Sequence, residues 1–233
     1  MKCPLRVVCI GAVAAFSHSA WAAVAVRHDD ESSWLSSNPF RSGARYAVFS
    51  DDMSGAQLVA PTQAQSGLSA SSEAFWTAPS IDAGTLAIGG SGPSSYLYAS
   101  RRSGATSYEG MIFQFNLPTI PDSGIFGVGV RVRLLDSDGQ GIAGRVRLSI
   151  TGPPESVRIA NSTALVDIGA SGAFVGFWMD RYGASSAISS LWVGSEIAGS
   201  ALAVETLFLG VPTPGTLVLL GSAALGVRRR RRR

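Results

Sequence analysis

Apolar side chains recur at every second position along much of this 233-residue chain. That period belongs to strands with one buried face. Gly127 to Leu134 is the clearest case, with Val128, Val130 and Val132 alternating with Gly129, Arg131 and Arg133. Gly144 to Ile150 repeats it, with Val146, Leu148 and Ile150 opposite Arg145, Arg147 and Ser149. Tyr108 to Leu117 sets Met111, Phe113 and Phe115 against Ile112, Gln114 and Asn116. Further strands are predicted at Arg45–Phe49, Ser156–Ala160, Ala164–Ile168, Ala173–Met179, Ser190–Val193 and Leu202–Leu209. Turn formers divide them at Asp136–Gly139, Gly152–Pro154, Asn161-Ser162 and Gly169–Gly172. Only the two ends carry a helical pattern of any length. Many short strands with Gly and Pro between them predict an all-β fold. It is expected to be a single antiparallel β-sandwich, jelly-roll-like or lectin-like, over residues 23–210. The stretch from Ala60 to Ser107 is rich in small residues and interrupted by Pro61, Pro79 and Pro93. It reads as long loops within the sandwich, with short strands at Thr85–Ile88 and Tyr96–Ala99.

The chemistry-bearing residues of this body are few. One histidine, His28, stands near its start, in a segment expected to fray and therefore unsuited to a Ser-His-Asp arrangement. With one His and no Cys, a zinc site is not expected, and no Gly-rich phosphate loop is present. No metal and no cofactor are implied. Asp136 to Gly141 resembles the start of a calcium loop, but Arg147 occupies the twelfth position, where a bidentate Glu is required. A hairpin turn between the two Arg-bearing strands accounts for the same residues. Such a hairpin would align Arg131, Arg133, Arg145 and Arg147 on one face. That face is either a basic stripe or an ordinary solvated sheet surface paired with acids. Glu109, Glu155, Asp167, Asp180, Glu196 and Glu205 are the acids from which a glycosidase pair would be drawn, and no motif groups them. Aromatics cluster late, at Phe174, Phe177, Trp178, Tyr182 and Trp192. If Val175, Phe177 and Met179 face the core, Trp178 is presented on the other face. Trp178, Tyr182 and Trp192 are then a candidate ligand platform, with core packing as the alternative.

The ends have a different character. Lys2 and Arg6 precede the apolar run Val7–Phe16, and Ala20-Trp21-Ala22 follows. This is the layout of a secretion signal cut after Ala22, leaving Ala23 as the first mature residue and signal peptidase as a partner. Both cysteines, Cys3 and Cys9, lie within it, so the mature chain has no thiol. The other end runs Val211-Pro212-Thr213-Pro214, then the apolar Leu217–Val227, then Arg228, Arg229, Arg230, Arg231, Arg232 and Arg233. A helix from Thr216 to Val227 would span about 18 Å, short of a bilayer core. The arginines would stay cytoplasmic and leave the body outside. The formal charge of +3 comes from these ends. Between Ala23 and Gly210 the 11 arginines face all 16 acids, a net −5, which excludes nucleic acid as a partner.

Pro212, Pro214, the apolar segment and the arginine run together resemble the PEP-CTERM sorting tail of bacterial exported proteins, with Thr213 in place of the usual Glu. The resemblance covers residues 211–233. It implies a tail recognised by an exosortase-type membrane enzyme, transient inner-membrane anchoring through the C-terminus, and a final place at the cell surface or in exopolysaccharide. Three classes of body fit such a protein. The first is a non-catalytic structural or adhesive matrix protein, the second a carbohydrate-binding module, and the third a hydrolase with a carboxylate pair.

Overall fold

The computed structural model describes residues 24–37, 46–66, 76–80, 85–99, 109–115, 124–152, 159, 161–180, 187–197 and 200–212. The predicted helices at the two ends and most of the predicted strand Ser156–Ala160 lie outside this set.

Two antiparallel sheets pack face to face as a sandwich. In sheet I the spatial order is β1 (Ala25–His28), β13 (Ala173–Met179), β9 (Gly127–Leu135), β15 (Ala201–Pro212), β7 (Tyr96–Ala99) and β6 (Leu86–Gly89). β10 (Gly141–Ile142) pairs with β9, and β2 (Tyr46–Asp51) pairs with β15. Sheet II runs β12 (Thr163–Ile168), β11 (Gly144–Thr151), β14 (Ser190–Ser195), β8 (Glu109–Phe115), β5 (Trp76–Pro79), β4 (Gln63–Gln65) and β3 (Gln57–Ala60). The alternation in the sequence decides which side chains enter the core. Val128, Val130, Val132 and Leu134 of sheet I are buried, as are Val146, Leu148 and Ile150 of sheet II. Phe113, Met111, Leu191 and Val193 join them. Asp51 ties the layers together. Its Oδ2 accepts from the Trp76 indole at 3.0 Å, and its Oδ1 accepts from the Met53 amide at 2.9 Å.

The structure differs from the sequence reading in three places. Between Ala60 and Ser107 the two expected short strands are present as β6 and β7, and β4 and β5 are two further strands where loop was expected. Trp76 and Ala78 carry the buried side of β5 and Ala64 that of β4, strands whose three or four residues are too few to show a period. His28 is not frayed. It is the last residue of β1 and lies opposite Gly176.

The arginines do not form one stripe. The turn after β9 closes only two rungs, Gly141 opposite Leu135 and Ile142 opposite Leu134, before the chain crosses to sheet II. Gly144 marks the crossing, since a Cβ there would run into Ile197 and Leu134. β9 and β11 therefore belong to opposite layers, and each layer shows two arginines to its own outer side. Period-two alternation specifies a face but not a sheet. Within the turn, Asp136 Oδ1 accepts from the amides of Asp138 at 2.9 Å and Gln140 at 2.8 Å, and Gly139 takes φ 76°. The aspartate therefore organises a turn.

Candidate functional site

Trp178 does lie on the outer side of β13, but it is fully buried. A six-residue helix, α1 (Glu31–Ser36), covers it. Asp30 caps the helix, with Oδ1 accepting from the Ser33 amide at 2.7 Å. Trp34 of α1 stacks on Trp178 with centroids 4.8 Å apart and planes at 19°. Each indole donates to the other's segment, Trp34 Nε1 to the Phe177 carbonyl at 3.2 Å and Trp178 Nε1 to the Trp34 carbonyl at 2.9 Å. The floor beneath them is glycine. A Cβ on Gly127 or Gly210 would strike the Trp178 ring, and one on Gly176 would strike Trp34. Trp178 is thus a core residue of a sealed outer pocket and no ligand platform. Tyr182 lies outside the described residues.

Trp192 differs from Trp178. It projects from the outer side of β14 in sheet II and is only partly buried. Its cross-strand neighbours are Ser149 of β11 and Ile112 of β8. Its six-membered ring lies over Gly194, where a Cβ would sit 2.6 Å from Cζ2. Gly194 in turn faces Gly110 of β8 and Arg147 of β11. The glycines leave room for the indole to lie along the sheet. The Arg147 guanidinium stands 5.8 Å from the ring centroid, within cation–π range.

Polar side chains share this outer face on the Ser149 and Ser190 side of Trp192. Ser149 Oγ and Thr163 Oγ1 are 3.1 Å apart, Thr151 Oγ1 and Ser190 Oγ are 2.6 Å apart, and Gln114 Oε1 accepts from Thr77 Oγ1 at 3.5 Å. Arg145, two positions before Arg147, donates to Asp167 Oδ1 at 2.8 Å. The face therefore combines one partly exposed aromatic plane with a rim of donors and acceptors. Such a plane takes the apolar C–H face of a sugar ring, and such a rim takes its hydroxyls. The sequence singled out Trp192 and, separately, Arg147 as part of an arginine stripe, but it did not bring the two together and it missed Gly194. The signal for both was the alternation of β11 and β14, which becomes legible only once the two strands are known to be neighbours.

The four candidate acids whose side chains are described do not converge. Asp167 pairs with Arg145, Glu205 with Arg133 of sheet I at 2.9 Å, and Asp180 Oδ1 accepts from the Val24 amide at 2.9 Å. Glu196 is exposed beyond β14. The side chains of Glu109 and Glu155 lie outside the described residues. Among the described residues no three metal-ligating side chains gather. The His28 imidazole is held below its ordinary pKa by burial, against the opposing pull of Asp30 and Asp29.

Val211 and Pro212 are the last two residues of β15, where Val211 is buried. Thr213, Pro214, Arg228–Arg233 and the cleavage residues Ala20, Ala22 and Ala23 lie outside the described residues. No helix among the described residues is long and apolar enough to cross a membrane.

No family model and no curated protein matches the chain. A solved structure described as "BiXyn10A CBM1 APO" overlaps 55% of this chain and 81% of its own, with a TM-score of 0.31 and 9% identity. A likeness at that level carries no argument.

Proposed function

We propose that this is an exported, non-catalytic protein of the bacterial cell surface or extracellular matrix, whose body holds polysaccharide on the outer face of sheet II. The observation that carries the reading is Trp192, partly exposed and lying over Gly194 beside Arg147, with Ser149 opposite it. The secretion signal at residues 1–22 and the PEP-CTERM-like tail at 211–233 support the location. In this reading signal peptidase and an exosortase-type enzyme act on the two ends, and the tail anchors the chain in the inner membrane until it is processed. An adhesive role fits a body whose described acids are each engaged in ion pairs or backbone contacts, or stand apart.

Electrophoresis through gels cast with hydroxyethylcellulose, dextran or alginate tests the binding. The wild-type body is expected to be retarded by at least one of them. Trp192→Ala is expected to weaken that retardation about tenfold, the scale of one lost aromatic contact of roughly 1.4 kcal/mol. Binding unchanged in a folded Trp192→Ala variant would remove this face from the reading.

A further inference from the structure

Sheet I bears a second aromatic surface on its outer side, at the end away from α1. Tyr96 and Tyr98 of β7 stand there with centroids 5.8 Å apart and planes at 47°. Both are partly exposed. Tyr96 lies across β6 over Gly89, where a Cβ would be 2.5 Å from Cζ and 2.7 Å from Oη. Tyr98 is opposite Ala203 of β15, and Ala203 is opposite Arg133 of β9. Ala203 is fully buried, so it forms a low floor between the tyrosine and the arginine. The Arg133 guanidinium is 5.8 Å from the Tyr96 centroid.

Glu205 completes the group. The register of β15 on β9 slips between Val204 and Thr206, so Glu205 is the extra residue of a bulge. A bulge re-aims a side chain. Here it sets the Glu205 carboxylate 2.9 Å from Arg133 Nη2, with about a third of each side chain still open to solvent. Two tyrosines, a guanidinium and a carboxylate thus share one open patch.

The Trp192 surface is built in the same way. Each has an aromatic ring laid over a glycine on the neighbouring or same strand, an arginine within 6 Å of that ring, and polar side chains at the rim. The two surfaces lie on opposite outer sides of the sandwich, about 10 Å of sheet-to-sheet packing plus side chains apart.

We propose that the Tyr96–Tyr98–Arg133–Glu205 patch is a second sugar-binding site, and that the body therefore bridges two polysaccharide strands, one on each outer face. The tyrosine rings take the C–H faces of adjacent sugar units. Arg133 and Glu205 donate to and accept from their hydroxyls. The site rests on its own residues, and only the bridging rests on the Trp192 reading.

The test uses the full chain and its variants with hydroxyethylcellulose, dextran and alginate, read by gel retardation and by turbidity of the mixed solutions. Trp192→Ala and the double variant Tyr96→Ala, Tyr98→Ala should each retain partial retardation. The triple variant should retain none. Wild type should cross-link and cloud a solution that neither single-site variant clouds. Losing either site should weaken retardation about tenfold, the scale of one lost aromatic contact. Glu205→Gln and Tyr96→Phe with Tyr98→Phe preserve the packing and should still weaken retardation, which keeps the test valid if the alanine variant does not fold.

A folded tyrosine variant that binds and clouds like wild type overturns the second site and leaves the Trp192 reading intact. Loss of binding in the tyrosine variants alone overturns the Trp192 reading and the bridging, while the second site stands. Absence of wild-type retardation by all three polysaccharides overturns both.

Discussion

At the scale of single residues, the glycines of sheet I decide what the tryptophans do. Gly127, Gly129, Gly176 and Gly210 lie together across β9, β13 and β15, with Gly176 opposite Gly129 and Gly210 opposite Gly127. Glycine is a poor strand residue, so it persists in a strand where a ring or backbone needs the space. Here the occupants are Trp34, Trp178 and Phe174. Trp34→Ala is expected to cost about 3–5 kcal/mol, the range for emptying a buried aromatic site, measured by urea unfolding. Gly176→Val should be destabilising for the opposite reason, because its side chain would enter the volume of the Trp34 ring. If both variants unfold at the wild-type midpoint, the stacked pair is not a structural element. The sequence showed Trp178 on the outer side of its strand, and the structure agrees. What the sequence could not show was the lid, since Glu31–Ser36 is too short for a helical period to register. The alternate glycines facing Trp178 were the legible clue, because an unfilled glycine trough beside a tryptophan calls for a covering ring.

At the scale of elements, β1 is the edge strand on which the lid depends. It holds four rungs to β13, and α1 follows it after two residues. His28 ends the strand with its pKa lowered by burial. In the folded protein the imidazole therefore stays neutral to lower pH than in the unfolded chain, whose value is about 6.5. Above that pH the state of His28 favours neither form. As the pH falls below it, the unfolded chain takes up the proton first, and stability is lost down to the folded pKa. Asp30 and Asp52 are also lowered, but by hydrogen bonds that favour the charged form, Asp30 first from Ser32 and Asp52 first from Ser54, so their contributions fade only below about pH 4. The expected result is a melting temperature that declines between pH 7 and pH 5 in the wild type and is flatter over that window in His28→Gln. An equal slope in both would assign the decline to other groups. The long strands β9, β11, β13 and β15 were legible because seven or more residues establish a period. Of the short strands between Ala60 and Ala99, β6 and β7 were legible, whereas β4 and β5 were not, since their pairing partners rather than their own pattern define them.

At the scale of the molecule, a row of hydrogen bonds crosses one end of sheet I. The Asp180 amide donates to the Val24 carbonyl, Met179 to Phe126, and Phe126 to Gly210. The start of β1 and the end of β15 therefore lie at the same end, three strand spacings or about 14 Å apart. Residues 1–23 and 213–233, which hold the two export signals of the sequence reading, both join the body there. The sequence reading ends the body at Gly210, where the Val211–Pro214 motif of the tail begins. β15 runs two residues further, with Val211 opposite Ala47 and Pro212 opposite Tyr46 at the strand's last rung, where the missing N–H costs no interior ladder bond. Val211 and Pro212, the first half of the proposed sorting motif, are thus part of the sandwich. A chain stopped after Pro212 should unfold at the same urea concentration as one carrying the tail. A chain stopped after Gly210 should lose about 1.5–3 kcal/mol, the burial of one valine, together with two rungs to β2. Equal stability of the two truncated chains would show that the final rungs contribute nothing. Under the proposed processing of the tail, the expected difference places a lower limit on where a cut would still release an intact body, and that limit falls at Pro212.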